Sequence, residues 1–316
     1  MNHKKLGSNG PEISTVGFGA WEAGGMAWGP NPPDSQTISA MQTAFDAGVN
    51  WIDTAEVYGG GRSEELVAQA VKDRDDVIVF TKVAPKPGGS GFEPENVRKA
   101  AEASLSRLGR DHIDVFQLHW PDRAIPVEDT WGAMAALVDD GLVRWIGVSN
   151  FSRELIEKCE PIRHVDSLQP HFSMLNQEGR TDLFPFCEEN GTGIIAYGPL
   201  GYGLLTGAIT HDTEFGDDDW RGGKHGMSAY PKLFAPGKIE RNLDIVDALR
   251  PVADRIGTTL AQLALAWVIA QRGVTAAIAG SRSPDHVREN AGAGSVELSA
   301  KDLEEIESIV ESGGRA

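Results

Sequence analysis

Cysteine is nearly absent from this 316-residue chain: Cys159 and Cys187 are the only two. They have no metal-ligand spacing and no required partner. A disulfide framework and a thiolate metal cluster are therefore excluded, and both read as free thiols. Basic residues are scarce as well: 29 Lys and Arg stand against 46 Asp and Glu, a formal charge of −17 with no basic stripe. Binding a phosphate backbone needs clustered Lys and Arg, so nucleic acid is excluded as a partner. The surplus acid serves solubility, or adaptation to high salt, and identifies no substrate. Long apolar runs are also missing. The longest covers residues 263–270, far short of the roughly 20 that cross a bilayer. Met1-Asn2-His3-Lys4-Lys5-Leu6-Gly7 carries positive charge with no apolar stretch behind it, unlike a secretory signal. We expect a soluble cytoplasmic protein with no membrane partner. No Pro/Gly/Ser linker or low-complexity tract divides the chain, which predicts one domain over residues 1–316.

What is present is a repeated alternation. Strand-like runs near residues 14–19, 50–53, 77–82, 113–119, 143–149, 165–169, 193–197 and 274–279 are separated by amphipathic helical stretches. Such alternation implies a parallel sheet, and eight runs imply a closed (β/α)8 TIM barrel followed by C-terminal helices. Ser63 reads as the cap of a helix carrying Leu66, Val67 and Ala70 on one face. Helices over 95–108 and 127–138 should stop at Gly109 and Gly141, where glycine tolerates a left-handed turn. The irregular stretch over residues 201–238, after the seventh strand, contains Gly216-Asp217-Asp218-Asp219 and Arg221-Gly222-Gly223-Lys224. An ordinary connection has about 4 to 6 residues, so this one reads as a lid or binding loop.

Three strand-like runs end on ionisable residues. Asn50-Trp51-Ile52-Asp53 leads into Thr54-Ala55-Glu56-Val57-Tyr58, a second run ends at Lys82, and a third at His119. Barrels of this type keep their chemistry at the C-terminal ends of the strands, so Asp53, Tyr58, Lys82 and His119 are expected to converge. A phenol titrates near ~10 and donates its proton poorly at neutral pH unless a cation stabilises its anion. Lys82 can be that cation and Asp53 its counterion. His119 can then hydrogen-bond a carbonyl oxygen. Taken singly, each also reads as a cap, a surface residue, a strand-end charge or a core histidine. A metal site is not expected, because no His-rich ligand set accompanies the lysine.

The ordered motifs Asp53-Thr54-Ala55-Glu56-Val57-Tyr58-Gly59, Gly61-Arg62-Ser63-Glu64, Thr81-Lys82, Leu118-His119-Trp120-Pro121-Asp122, Gly147-Val148-Ser149-Asn150-Phe151 and Gly280-Ser281-Arg282 resemble the aldo-keto reductase superfamily. The resemblance spans residues 6–290. It implies a nicotinamide-dependent oxidoreductase in which Tyr58 protonates a carbonyl oxygen, Lys82 and Asp53 lower its pKa, and His119 orients the substrate. It further implies that Ser149, Asn150 and Gln169 hold the nicotinamide carboxamide and that Tyr197 stacks on its ring. No Gly-x-Gly-x-x-Gly is needed, and Gly17-Phe18-Gly19-Ala20-Trp21-Glu22 fails that pattern at its last position.

The segment Gly198-Pro199-Leu200-Gly201-Tyr202-Gly203-Leu204-Leu205-Thr206-Gly207 is expected to bring backbone amides to the pyrophosphate. Gly280-Ser281-Arg282-Ser283-Pro284-Asp285-His286 leads into a helix whose N-terminus suits a phosphate, and Ser281 and Arg282 resemble the family's 2′-phosphate binders. Glu289 and Asn290 match the residues that contact adenine. NADPH is therefore expected over NADH, although Gly280 and His286 depart from the lysine and the arginine or glutamine of many members. Trp21 and Trp120 are placed to wall the substrate, and Arg123 to meet an anionic or polyhydroxylated one. The expected activity is NADPH-dependent reduction of a small aldehyde, ketone or sugar carbonyl by a monomer or small homo-oligomer. The alternatives are a sugar or alcohol dehydrogenase running in reverse and a nicotinamide-binding regulatory subunit.

Overall fold

The computed structural model describes residues 1–26, 28–222 and 232–314. Gly223 and Lys224 of the expected binding loop lie outside the described residues. A short antiparallel hairpin, β1 (His3–Lys5) with β2 (Glu12–Ser14), precedes eight parallel strands: β3 (Val16–Gly19), β4 (Trp51–Asp53), β5 (Ile78–Val83), β6 (Ile113–Leu118), β7 (Val143–Ser149), β8 (Ser167–Gln169), β9 (Gly193–Tyr197) and β10 (Val274–Ala279). Each pairs with the next, and β10 returns to pair with β3, Ala277 opposite Val16, closing the barrel. The expected (β/α)8 barrel is the architecture observed. The first run differs only in dividing, Ser14 belonging to the hairpin and Val16 to the barrel.

Side chains alternate across each strand, and this alternation creates the site. Ile52, Val79, Phe116, Ile146, Val148, Leu168 and Ile194 point outward beneath the helices and are all 0–1% exposed. Each such burial stabilises the fold by about 1.5–3 kcal/mol. The inward residues are apolar at the floor of the barrel, where Trp51, Phe80, Val115 and Ile195 pack against Leu6 and Ile13 of the hairpin turn and strand. Trp51 lies across Gly17, where a Cβ would stand 2.1 Å from its ring, and its indole donates to the Ser14 carbonyl at 2.8 Å. Two residues further along the strands, the inward positions become polar: Asp53, Lys82, Gln117, Ser149 and Gln169. An apolar plug thus supports a polar layer.

The helices follow local signals. Between β5 and β6, α3 (Pro94–Leu108) begins on a proline whose missing N–H costs nothing in the first turn, and it ends at Gly109 with φ 63°. The helix α4 (Val127–Asp139) ends beside Gly141, φ 76°. α2 (Arg62–Ala70) corrects the sequence reading. Gly61, φ 99°, holds its cap position, while the buried Ser63 hydroxyl donates to the Ala20 carbonyl and accepts from Thr54, at 2.7 and 2.8 Å. Ser63 therefore ties two site loops together instead of capping a helix. The apolar run at residues 263–270 falls in α8 (Leu260–Ile269), which is capped by Thr259 and packed in the core. Among the described residues, no single helix is long and apolar enough to cross a membrane.

Cys159, on α5 (Arg153–Cys159), and Cys187, on α6 (Leu183–Asn190), are free and buried. Burial pushes both thiols up to about 12. A thiolate is the reactive species, so the native chain should show no reaction with a thiol reagent at pH 8 over minutes. Two equivalents should react once the chain is denatured; rapid labelling of the native chain would contradict this packing.

Candidate active site

Lys82 and Asp53 form an ion pair in the polar layer. Lys82 is 0% and Asp53 3% exposed. The ammonium donates to Asp53 Oδ1 at 2.5 Å and to the Thr54 carbonyl at 2.8 Å. The other carboxylate oxygen, Oδ2, accepts from Gln169 Nε2 at 2.8 Å and more distantly from Gln117 Nε2 at 3.5 Å. Burial holds the Lys82 pKa below its usual value, and Asp53 opposes that shift. Tyr58, on the loop after β4, places its ring 5.2 Å from the ammonium and 5.5 Å from the His119 ring. His119 stacks flat on Trp120 at 3.7 Å. Its Nδ1 is buried with no hydrogen-bond partner among the described residues, and burial first, then Lys82, holds its pKa well below the free value. His119 is accordingly a neutral imidazole at pH 7.

A second network runs round the same rim. Ser149 Oγ donates to the Gln169 carbonyl at 2.8 Å. Asn150, in the left-handed region with φ 61°, donates to the His119 carbonyl and to Ser149 Oγ, both at 3.1 Å. Its Oδ1 accepts from the Tyr197 hydroxyl at 2.9 Å. Asn150 adopts this backbone conformation at the end of β7 with its side chain tied at both ends, an arrangement that over-determines the strained turn.

These groups open into a cavity of about 400 Å³ at the C-terminal mouth of the barrel. Asp53, Tyr58, His119, Ser149, Asn150, Gln169, Tyr197, Gly198, Pro199, Leu200, Gly203, Gly280, Ser281, Arg282, His286, Glu289, Asn290, Trp21 and Trp120 all line it. Lys82 lies beneath, reaching it through Asp53 and the Tyr58 ring. Two expected residues are not in its wall. Gly201, φ 56°, opens the tight turn that carries its neighbours there, and Arg123 is exposed and takes no part in the lining. Gly280 lets β10 approach β3 closely, since a Cβ there would stand 2.3 Å from the Gly19 carbonyl oxygen.

The structure adds residues that the sequence reading passed over. Gln117, whose amide faces Asp53 at 3.5 Å, sits two positions before His119, and the inward parity of β6 is the signal that could have found it. Glu22, Trp28, Tyr202 and Arg221 come from loops without periodicity. Trp21, Trp28, Tyr202 and Trp220 form a cluster of edge-to-face and tilted rings 5.0–6.2 Å apart across the mouth. Arg221 clamps Asp219 through two nitrogens and covers the Trp28 ring at 5.3 Å. Residues 28 and 219 also form an antiparallel bridge, so the loop after β3 and the loop after β9 meet over the cavity.

With this geometry in hand, comparison with known proteins is informative. The sequence profile described as the Aldo/keto reductase family matches residues 15–311. The aldo-keto reductase YhdN of Bacillus subtilis (strain 168) is 34% identical, the match covering 98% of this chain and 94% of that protein. The NADH-specific methylglyoxal reductase of Escherichia coli (strain K12) is 31% identical, covering 96% of each. Among solved structures, a glycerol dehydrogenase from Gluconobacter oxydans superposes with a TM-score of 0.87 at 29% identity, covering 99% of this chain and 96% of that one.

His171 packs between Tyr197 and Tyr202, ring centroids 5.2 and 5.4 Å away, with Nε2 buried and unpartnered; burial lowers its pKa to about 4. The unfolded chain therefore takes up this proton before the folded chain does. Stability is full above about pH 6.5 and declines toward pH 4, by about 2 kcal/mol after allowing for partial solvent access. His119 adds in the same direction. His171→Phe should flatten the fall in urea midpoint between pH 6.5 and 4 while keeping the stacking; an unchanged slope would refute the assignment.

Proposed function

We propose, on the premise that this chain belongs to the aldo/keto reductase family and is an oxidoreductase acting on carbonyl compounds, that it reduces a small aldehyde, ketone or sugar carbonyl to the alcohol with NADPH. The observation that carries this reading is the buried Lys82 ammonium, held by Asp53 at 2.5 Å and placed 5.2 Å from the ring of the cavity-facing Tyr58. A cation so near the phenol stabilises its anion, so Tyr58 gives up its proton more readily than free tyrosine. Neutral His119 is left as a hydrogen-bonding orienter of the carbonyl oxygen and not as a competing acid.

The lining suits a dinucleotide. Ser149, Asn150 and Gln169 offer the donors and acceptors that a carboxamide requires, and Tyr197 offers a ring face beside them. The tight turns at Gly198 (φ 65°) and Gly203 (φ 101°), and the side-chain-free approach at Gly280, fit a pyrophosphate and a phosphate-bearing ribose lying against backbone. When bound, the reduced nicotinamide supplies the hydride for the carbonyl carbon. The chain's own part is to exclude water with the ring cluster, to hold the oxygen between Tyr58 and His119, and to deliver the Tyr58 proton to it. Trp21 and Trp120 form apolar walls beside that point. The same groups serve the oxidative direction, in which Tyr58 accepts the proton, and the likeness to a glycerol dehydrogenase favours testing alcohols beside carbonyls.

Tyr58→Phe should lower turnover at least about 10²-fold with little change in dinucleotide affinity, because it removes only the acid. Steady-state rates and binding titrations on the two proteins check this, and near-normal turnover would sink the assignment. Lys82→Met should move the alkaline limb of the pH–rate profile upward, since the phenol loses its cation; a profile that keeps its shape would remove Lys82 from the proton-donor role.

A further inference from the structure

Glu22 belongs to the short 3-10 turn Trp21–Gly24 that follows β3 and faces the same end of the cavity as Ser281, Arg282 and His286. Its Oε2 stands 3.5 Å from Arg282 Nε, and the two side chains are only 25% and 20% exposed. The remaining Arg282 nitrogens are committed to the same loop: to the Trp28 carbonyl at 2.7 Å, the Pro30 carbonyl at 3.1 Å and the Asn31 amide oxygen at 3.3 Å. The other charged groups around Glu22 are Arg221, His286 and Asp219, and Arg221 is already paired with Asp219 at 2.6 Å. The guanidinium that the nicotinamide-dependent reading gives to a ribose phosphate thus already faces a carboxylate, in a setting screened less than an open surface.

We propose that Glu22 determines the cofactor preference of this chain by opposing a 2′-phosphate at Arg282, so that NADPH is bound with a smaller advantage over NADH than Ser281 and Arg282 alone would confer. This inference rests on the nicotinamide-dependent reading above. A phosphate arriving at Arg282 meets the like charge of Glu22 at short range and must displace it from the guanidinium. A free 2′-hydroxyl carries no charge and meets no such opposition. The effect is selective for the one phosphate by which the two cofactors differ. Burial raises the Glu22 pKa, and the neighbouring Arg282, then Arg221 and His286, oppose that shift.

The test is equilibrium binding to the full chain, read by quenching of tryptophan fluorescence and by calorimetry, with no turnover involved. NADPH, NADH, adenosine 2′,5′-bisphosphate and AMP are titrated into the unaltered protein, Glu22→Gln and Glu22→Leu. Removing the charge should tighten NADPH and adenosine 2′,5′-bisphosphate about tenfold while NADH and AMP change less than about twofold. Both variants should behave alike, since the lost property is charge and not a hydrogen bond; if one misfolds by circular dichroism, the other decides. Equal weakening of NADPH and NADH would overturn the inference, making Glu22 only a latch for its loop. An unchanged NADPH-to-NADH ratio would overturn it as well. If the unaltered protein binds neither dinucleotide, the reductase reading falls and the inference with it, an outcome distinct from the other two.

Discussion

The architecture of the mouth depends on keeping an ammonium charged inside a closed barrel. Taking both ions of the Lys82–Asp53 pair out of water costs several kcal/mol per ion, and their attraction offsets this only where every remaining donor and acceptor is engaged. The barrel engages most of these groups strand by strand. The Thr54 carbonyl takes a second bond from the ammonium, and the amides of Gln169 and Gln117 address the second oxygen of the carboxylate. The apolar floor of Trp51, Phe80, Val115 and Ile195 keeps the pair dry from below. A polar layer on a dry support is the condition under which a single cation acts strongly on a neighbouring phenol.

Much of this was legible before any coordinates. The eight runs and their order follow from alternation between periods of two and 3.6, and the closed parallel barrel follows from their number. Asp53, Lys82 and His119 were legible because each ends such a run, where the fold dictates both the direction and the depth of a side chain. Ser149 and Gln169 fall under the same rule. Gln117 obeys it too through the inward parity of β6, although it does not end the run.

Where no period operates, legibility ends. Arg123 lies in an aperiodic loop, and sequence proximity to His119 and Trp120 did not bring it to the cavity. Ser63 carried a cap-like pattern, yet Gly61 with its positive φ took the cap and left the hydroxyl to join Ala20 to Thr54. Glu22, Trp28, Tyr202 and Arg221 meet only because two loops far apart in the chain cross over the same opening. Contacts of that kind arise from tertiary packing, and local composition holds no sign of them.

The hydrogen bond from Gln169 to Asp53 spans the inside of the barrel, joining β8 to β4 through its lumen. Neither half of the chain contains both ends of it. A partly folded chain that has built only its first four barrel strands has Asp53, Lys82 and His119 but lacks the amide that holds the far carboxylate oxygen. The site therefore comes into being only when β8 docks across the lumen from β4, which makes the recovery of chemistry during refolding a clock for that docking, independent of how much secondary structure has already formed.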